Sequence, residues 1–145
     1  MSDYSQENFP LRSVAVTNSP FKATQLNSDD ASARLAFSAS LAASDRKAGD
    51  IVILRVADVS YIADYFVVTT GFSRVQVRAV ADAIEDKIKE DLQRVPLRIE
   101  GKAEGNWVLY DYGDVIVHVM MPKEREFYNL EAFWGHAERI DFTNE

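Results

Sequence analysis

A chain of 145 residues that is 47% hydrophobic and 27% charged has the length and composition of one globular domain with a tail and enough apolar residues for a packed core, which argues against global disorder. Its net charge of −7 repels phosphate, so general nucleic-acid binding is disfavoured, whereas basic protein partners suit it. The absence of cysteine excludes disulfides, a thiol nucleophile and a Cys-ligated zinc site, and two histidines, His118 and His136, are too few for a poly-His metal site.

No run approaches the roughly 18–20 apolar residues that cross a bilayer. The N-terminus has no basic region followed by an apolar stretch, and Asp3 and Glu7 argue against an Arg-rich transit peptide. These features predict a soluble, cytoplasmic protein without a membrane partner. Residues 1–30 are polar and aperiodic, broken by Pro10 and Pro20, and read as a flexible tail; residues 31–145 form the domain.

Asp29 and Asp30 precede an Ala-rich stretch, and acids favour a helix start because they accept orphan N–H bonds and offset the dipole. Leu35, Phe37, Leu41 and Ala42 give that helix a loose apolar face, and Gly49 is placed to supply a left-handed cap. Ile51 to Val56 and Tyr65 to Thr70 are apolar, β-branched runs that predict buried strands. Ser73 to Gln76 matches a capping box. Behind it, Val77, Val80, Ala81, Ile84, Ile88 and Leu92 fall on one helical stripe, with Glu85 and Lys89 as an i,i+4 pair on the wet side.

Leu97-Arg98-Ile99 predicts a brief strand. Trp107 to Asp111 and Val115 to Met121 predict a hairpin around Tyr112-Gly113, ended by Pro122. Val115, Val117 and Val119 then face one way, and Ile116, His118 and Met120 the other. A last helix is expected from about Glu124 to Ala137, with Phe127, Leu130, Trp134 and Ala137 on its core side and Tyr128 opposite. The order α-β-β-α-β-β-β-α predicts an α/β (α+β) fold: a mixed five-stranded sheet flanked by helices. Because the strands are apolar on both sides, either helices cover both faces of the sheet or one exposed face meets a partner, and three helices leave room for the second arrangement.

Chemistry-bearing constellations are few. Asp111 and Asp114 flank a turn, where Asp is common for backbone reasons, and two acids under-supply a magnesium site. Asp64 sits at a strand entrance. Gly71-Phe72-Ser73 lacks the spacing and lysine of a phosphate-binding loop, so Ser73 reads as a helix cap. His118 has no triad partners at a recognisable spacing and reads as a structural or interface histidine. Trp107, Tyr110, Tyr112, Tyr128 and Trp134 crowd the C-terminal third, with core and interface readings both open for each.

Several segments together resemble a known family, the ribosomal silencing factors (RsfS, or Iojap). They are Lys47-Ala48 before Asp50-Ile51, Asp64-Tyr65-Phe66-Val67-Val68-Thr69-Thr70-Gly71, Ser73-Arg74-Val75-Gln76, Glu100-Gly101 and Trp107-Val108-Leu109. Asp111-Tyr112-Gly113-Asp114-Val115-Ile116-Val117-His118 is similar to the family's most distinctive segment, and Arg125, Tyr128-Asn129-Leu130-Glu131 and Trp134 resemble its closing helix. The likeness spans about residues 31–140.

The resemblance implies a fold related in shape to nucleotidyltransferases and a non-enzymatic role without cofactor or metal. It implies binding to one protein of the large ribosomal subunit, the fourteenth. That would sterically block joining of the small subunit, repress translation in nutrient shortage and assist late large-subunit assembly. The contact residues expected from it are Trp107, Asp111, Tyr112, His118, Arg125, Tyr128, Glu131 and Trp134. Residues 1–30 have no counterpart in the shortest members, Met120-Met121 stands where an aromatic often follows, and Gly135-His136-Ala137 replaces a more usual acid. Two other readings stay open beside this one: a symmetric homodimer of the free protein, and a nucleotidyltransferase-like enzyme using Asp64, Asp111 and Asp114.

Overall fold

The computed structural model describes residues 30–143, so the tail expected over residues 1–30 lies, except for Asp30, outside the described residues. The described chain begins with helix α1 (Ala31–Asp45), whose N-cap Asp30 accepts the N–H groups of Ser32 and Ala33. Strands β1 (Gly49–Arg55) and β2 (Tyr65–Thr70) follow, then the long helix α2 (Arg74–Leu92). Next come β3 (Arg98–Glu100), β4 (Trp107–Asp111) and β5 (Val115–Met120). Two short helices, α3 (Pro122–Tyr128) and α4 (Leu130–Phe133), lead to a last strand, β6 (Glu138–Asp141).

The fold is mixed α/β as the pattern predicts, but the sheet has six strands rather than five, in the order β3-β4-β5-β2-β1-β6. The extra strand is β6, four residues whose alternation is too short to stand out in the sequence; it pairs antiparallel with β1. β2 and β5 form the parallel pair at the centre, and the other pairings are antiparallel.

One face of the sheet carries the main core. Ile51 and Ile53, Tyr65 and Val67, Val108 and Tyr110, and Val115, Val117 and Val119 meet α1 and α2 there. The stripe of α2 is buried as expected at Val77, Val80, Ala81, Ile84 and Ile88, each larger side chain contributing about 1.5–3 kcal/mol by leaving water. α1 is buried nearly all round, at Ala33, Leu35, Ala36, Phe37, Ala39, Ala42 and Ala43, between sheet and α2. Its weak amphipathicity has this cause: a helix enclosed on every side needs small residues, not a polar face.

Local details correct several expectations. The turn after α1 places Lys47 (φ 63) and Asp50 (φ 46) in the left-handed region, and Gly49 opens β1 instead of capping the helix. Ser73 caps α2 through a 3.0 Å bond from the Gln76 backbone N–H, while the Gln76 side-chain Oε1 accepts from the Phe72 N–H, not that of Ser73. Glu85 does not stay on the wet side with Lys89: it accepts the Tyr110 hydroxyl at 3.1 Å and lies 3.7 Å from Lys102. Gly71 is required by close approach, since a Cβ there would sit 2.9 Å from the Val77 nitrogen. The hairpin turn is built on Gly113 (φ 95), whose N–H the Asp111 carboxylate accepts at 2.8 Å.

The single last helix expected from Glu124 to Ala137 is two helices. Pro122 fits the first turn of α3, where its missing N–H costs nothing. Asn129 then adopts φ 43, ending α3 and capping α4 through its side chain. Asn tolerates this conformation because its short amide bonds locally. The break rotates the apolar stripe out of register. Leu130, Trp134 and Ala137 pack on the second sheet face, but Phe127, expected in the core, is 77% exposed.

Candidate docking surface

The second sheet face is only partly covered. Val52, Leu54, Phe66, Val68 and Met120 lie under Leu130, Trp134 and Ala137. Toward the other edge, the outward residues of β4 and β5 (Trp107, Leu109, Asp111 and Ile116) remain half-buried. Their alternation with buried Val108 and Tyr110 follows from the two-residue repeat of a strand.

An aromatic ledge closes this open area. The Trp107 and Tyr128 rings lie 4.8 Å apart, and Phe127 meets Tyr128 edge-on at 4.9 Å. Asn106, Trp107, Lys123, Glu124, Phe127 and Tyr128 line a recess of about 280 Å³. Beneath the ledge, the Trp107 indole N–H donates to His118 Nδ1 at 3.1 Å. His118 packs edge-on against Phe66 at 5.5 Å and is 6% exposed. Burial disfavours the charged imidazole and pushes its pKa down to about 4. His118 Nε2 has no hydrogen-bond partner.

An ion pair anchors the ledge to the sheet. Arg125 donates to Glu131 Oε2 at 2.7 and 3.0 Å, and a third nitrogen donates to the Thr70 hydroxyl at 2.8 Å. Burial works against ionisation of Glu131, but the Arg125 hydrogen bonds and charge outweigh it and hold its carboxyl below the usual value. The pair thus ties α3 and α4 together and to the end of β2.

The acidic residues considered for catalysis divide. The Ser32 hydroxyl lies 2.9 Å from an Asp64 oxygen and 2.7 Å from an Asp114 oxygen, and can donate to one of them at a time. Arg94 binds both Asp114 oxygens, at 2.7 and 3.1 Å. Although burial opposes ionisation of Asp114, the bonds from Arg94 and Ser32 hold its pKa down. This knot joins the start of α1, the entrances to β2 and β5 and the segment after α2. Asp111 takes no part in it: it closes the Gly113 turn and lies 3.6 Å from Arg98. Among the described residues, no three His, Asp or Glu side chains converge as a metal ion would require.

Of the expected contact residues, Trp107, Asp111 and Tyr128 have accessible surface on the open side, with Tyr128 50% exposed. His118 lies directly under Trp107, Arg125 and Glu131 form the internal pair, and Trp134 packs on Phe66 at 5.3 Å. Tyr112 is a correction. Its register puts the ring on the helix side, 2% exposed, and burial raises its hydroxyl pKa, so it is a core residue unavailable for contact. Leu109, Ile116 and Phe127 were missed as surface residues. The alternation of β4 and β5 carried the signal for the first two; only the break at Asn129 reveals the third.

A mixed sheet with both long helices on one face and an aromatic ledge on the other defines a small α/β domain with a partly open, largely apolar sheet face. Residues 29–145 match the family model described as "Ribosomal silencing factor during starvation". The ribosomal silencing factor RsfS of Bacillus subtilis is 44% identical over 103 residues, covering 71% of this chain and 86% of that protein. The chloroplastic protein Iojap of Arabidopsis thaliana is 38% identical over 133 residues, 86% of this chain, which spans 55% of that longer relative. A crystal structure of protein CV0518 from Chromobacterium violaceum superposes with a TM-score of 0.68 at 35% identity, covering 77% of this chain and 88% of that one. The chain belongs to the ribosomal silencing factor (RsfS) family. No helix among the described residues is long and apolar enough to cross a membrane.

Proposed function

We propose that the chain docks on the large ribosomal subunit through that subunit's fourteenth protein, and that its bulk there blocks joining of the small subunit. Translation then falls by steric exclusion, and the same docking on immature particles assists late assembly. No step of this role needs a metal, a cofactor or a covalent intermediate. The observation that carries the reading is the open half-face with its ledge of half-buried Trp107 and exposed Phe127 and Tyr128. Tyr and Trp bury much area for little lost entropy and are enriched at binding hot spots. The net charge of −7 favours encounter with a basic ribosomal protein over bare RNA.

The test is co-sedimentation with isolated large subunits, small subunits and joined ribosomes. Stoichiometric binding to large subunits, with loss of joining, is expected. Tyr128→Ala should weaken it at least roughly tenfold, because truncating a hot-spot aromatic typically costs about 2 kcal/mol. Tyr128 makes a cleaner probe than Asp111, whose carboxylate also holds the hairpin turn. Wild-type protein that stays in the supernatant at moderate salt would defeat the reading. In the free protein the same face would accept a second copy, and addition of large subunits should then dissolve such a dimer.

A further inference from the structure

We infer that His118 is a positioning residue: as a neutral imidazole its Nδ1 holds the Trp107 indole in the orientation that the docking face presents. The inference rests on the docking reading and adds a device to it, because His118 at 6% exposure has little surface of its own to offer a partner.

The hydrogen bond fixes the chemistry. An indole nitrogen only donates, so the 3.1 Å contact makes Nδ1 the acceptor and leaves the imidazole proton on Nε2. That N–H is buried without a partner, an arrangement that works against folding. Across the strands His118 faces Leu109 and Val68, which are apolar and cannot serve it. Packing alone would therefore be satisfied as well by an aliphatic side chain. What an aliphatic residue cannot supply is an acceptor for Trp107. Without it the indole keeps apolar contacts, with Tyr128 at 4.8 Å and with the core of the second sheet face, but these do not direct its N–H, which must turn toward water. A half-buried ring free to choose among rotamers loses that freedom on binding, and the loss weakens the complex.

Two variants separate positioning from a structural role. His118→Leu removes the acceptor and the orphan donor together. His118→Asn keeps an acceptor, since its Oδ1 stands where Nδ1 stood. The indole N–H resonance of Trp107 is identified by its disappearance in Trp107→Phe. In His118→Leu this resonance is expected to move to the position of a water-exposed indole, with the fold retained and no less stable at neutral pH. Large-subunit binding should fall roughly tenfold, the upper range for one lost hydrogen bond. His118→Asn should restore the resonance and most of the affinity, although it is the less apolar replacement. An unmoved Trp107 resonance in His118→Leu would overturn the inference, as would full affinity in a His118→Leu protein with a mobile indole. Wild-type protein that fails to bind subunits refutes the docking reading instead, and the resonance still decides whether His118 orders Trp107.

Discussion

Acidification is expected to destabilise this protein specifically through His118. Burial holds the folded imidazole at about 4, against 6.5 for an ordinary one. Its cross-strand neighbours, Val68 and Leu109, carry no charge that could favour the protonated form. In the unfolded chain the imidazole takes up a proton as the pH falls through 6.5, whereas in the folded chain it does so only near 4. Across that window the unfolded state binds more protons, so stability falls as the pH falls; above 6.5 there is no penalty. The separation corresponds to about 3 kcal/mol when the window has been fully crossed. With a urea slope of roughly 1–3 kcal/mol per molar, the unfolding midpoint should drop by on the order of 1–3 M. Carboxylates also titrate in this range, so the decisive quantity is a difference. Urea unfolding of wild type and His118→Leu, followed by circular dichroism at half-unit pH steps, subtracts the groups they share. The two curves should lie together above neutral pH and diverge below it, with the variant the more stable in acid. Parallel curves would refute the burial argument, because they would mean that the folded imidazole protonates as readily as the unfolded one.

Two further perturbations test the framework around the face. Arg125→Ala should cost about 3 kcal/mol in chemical unfolding, because it strands the largely buried Glu131 carboxylate without its partner; an unchanged midpoint would show that the pair is solvated. Gly71→Ala should destabilise by about 1–3 kcal/mol, since its Cβ would lie 2.9 Å from the Val77 backbone nitrogen and displace the start of α2; a thermal melt coincident with wild type would show that this approach can relax.

The elements whose hydrophobic period is long and clean were legible in the sequence. The α2 stripe is buried from Val77 to Ile88, with Leu92 at its end only partly so, the hairpin turns at Gly113, and the two sides of β5 divide as alternation requires. What escaped depended on contacts distant in the chain. Four residues of β6 acquire meaning only beside β1. Tyr112 escaped for a different reason: it lies just past the end of β4, in the turn, yet keeps the inward side of Val108 and Tyr110. Asn129 is compatible with helix interior or helix end, and its left-handed conformation decides between them. Residue type singled out Trp107 and Tyr128, and both have accessible surface. It could not distinguish them from His118, Arg125 and Glu131, which support the ledge from within.

Folding and the proposed docking face share the same backbone register. In β4, Val108 and Tyr110 fill the core while Trp107, Leu109 and Asp111 form the open face, so a slip of one residue would bury Asp111 and expose Tyr110. That register is held at one end by the Gly113 turn and the Asp111 carboxylate that caps it, and at the other by the Met121 N–H bond to the Asn106 carbonyl at 2.9 Å. The proposed docking face therefore needs no separate scaffold within the hairpin: the contacts that set its register also turn Trp107 outward. The exception is the Trp107 ring itself, whose orientation the backbone leaves open and a side-chain acceptor must choose. A buried histidine with an unsatisfied N–H is a poor choice for stability at that position and an effective one for presenting an indole, and this contrast is the physical reason to assign its role to the surface rather than to the core.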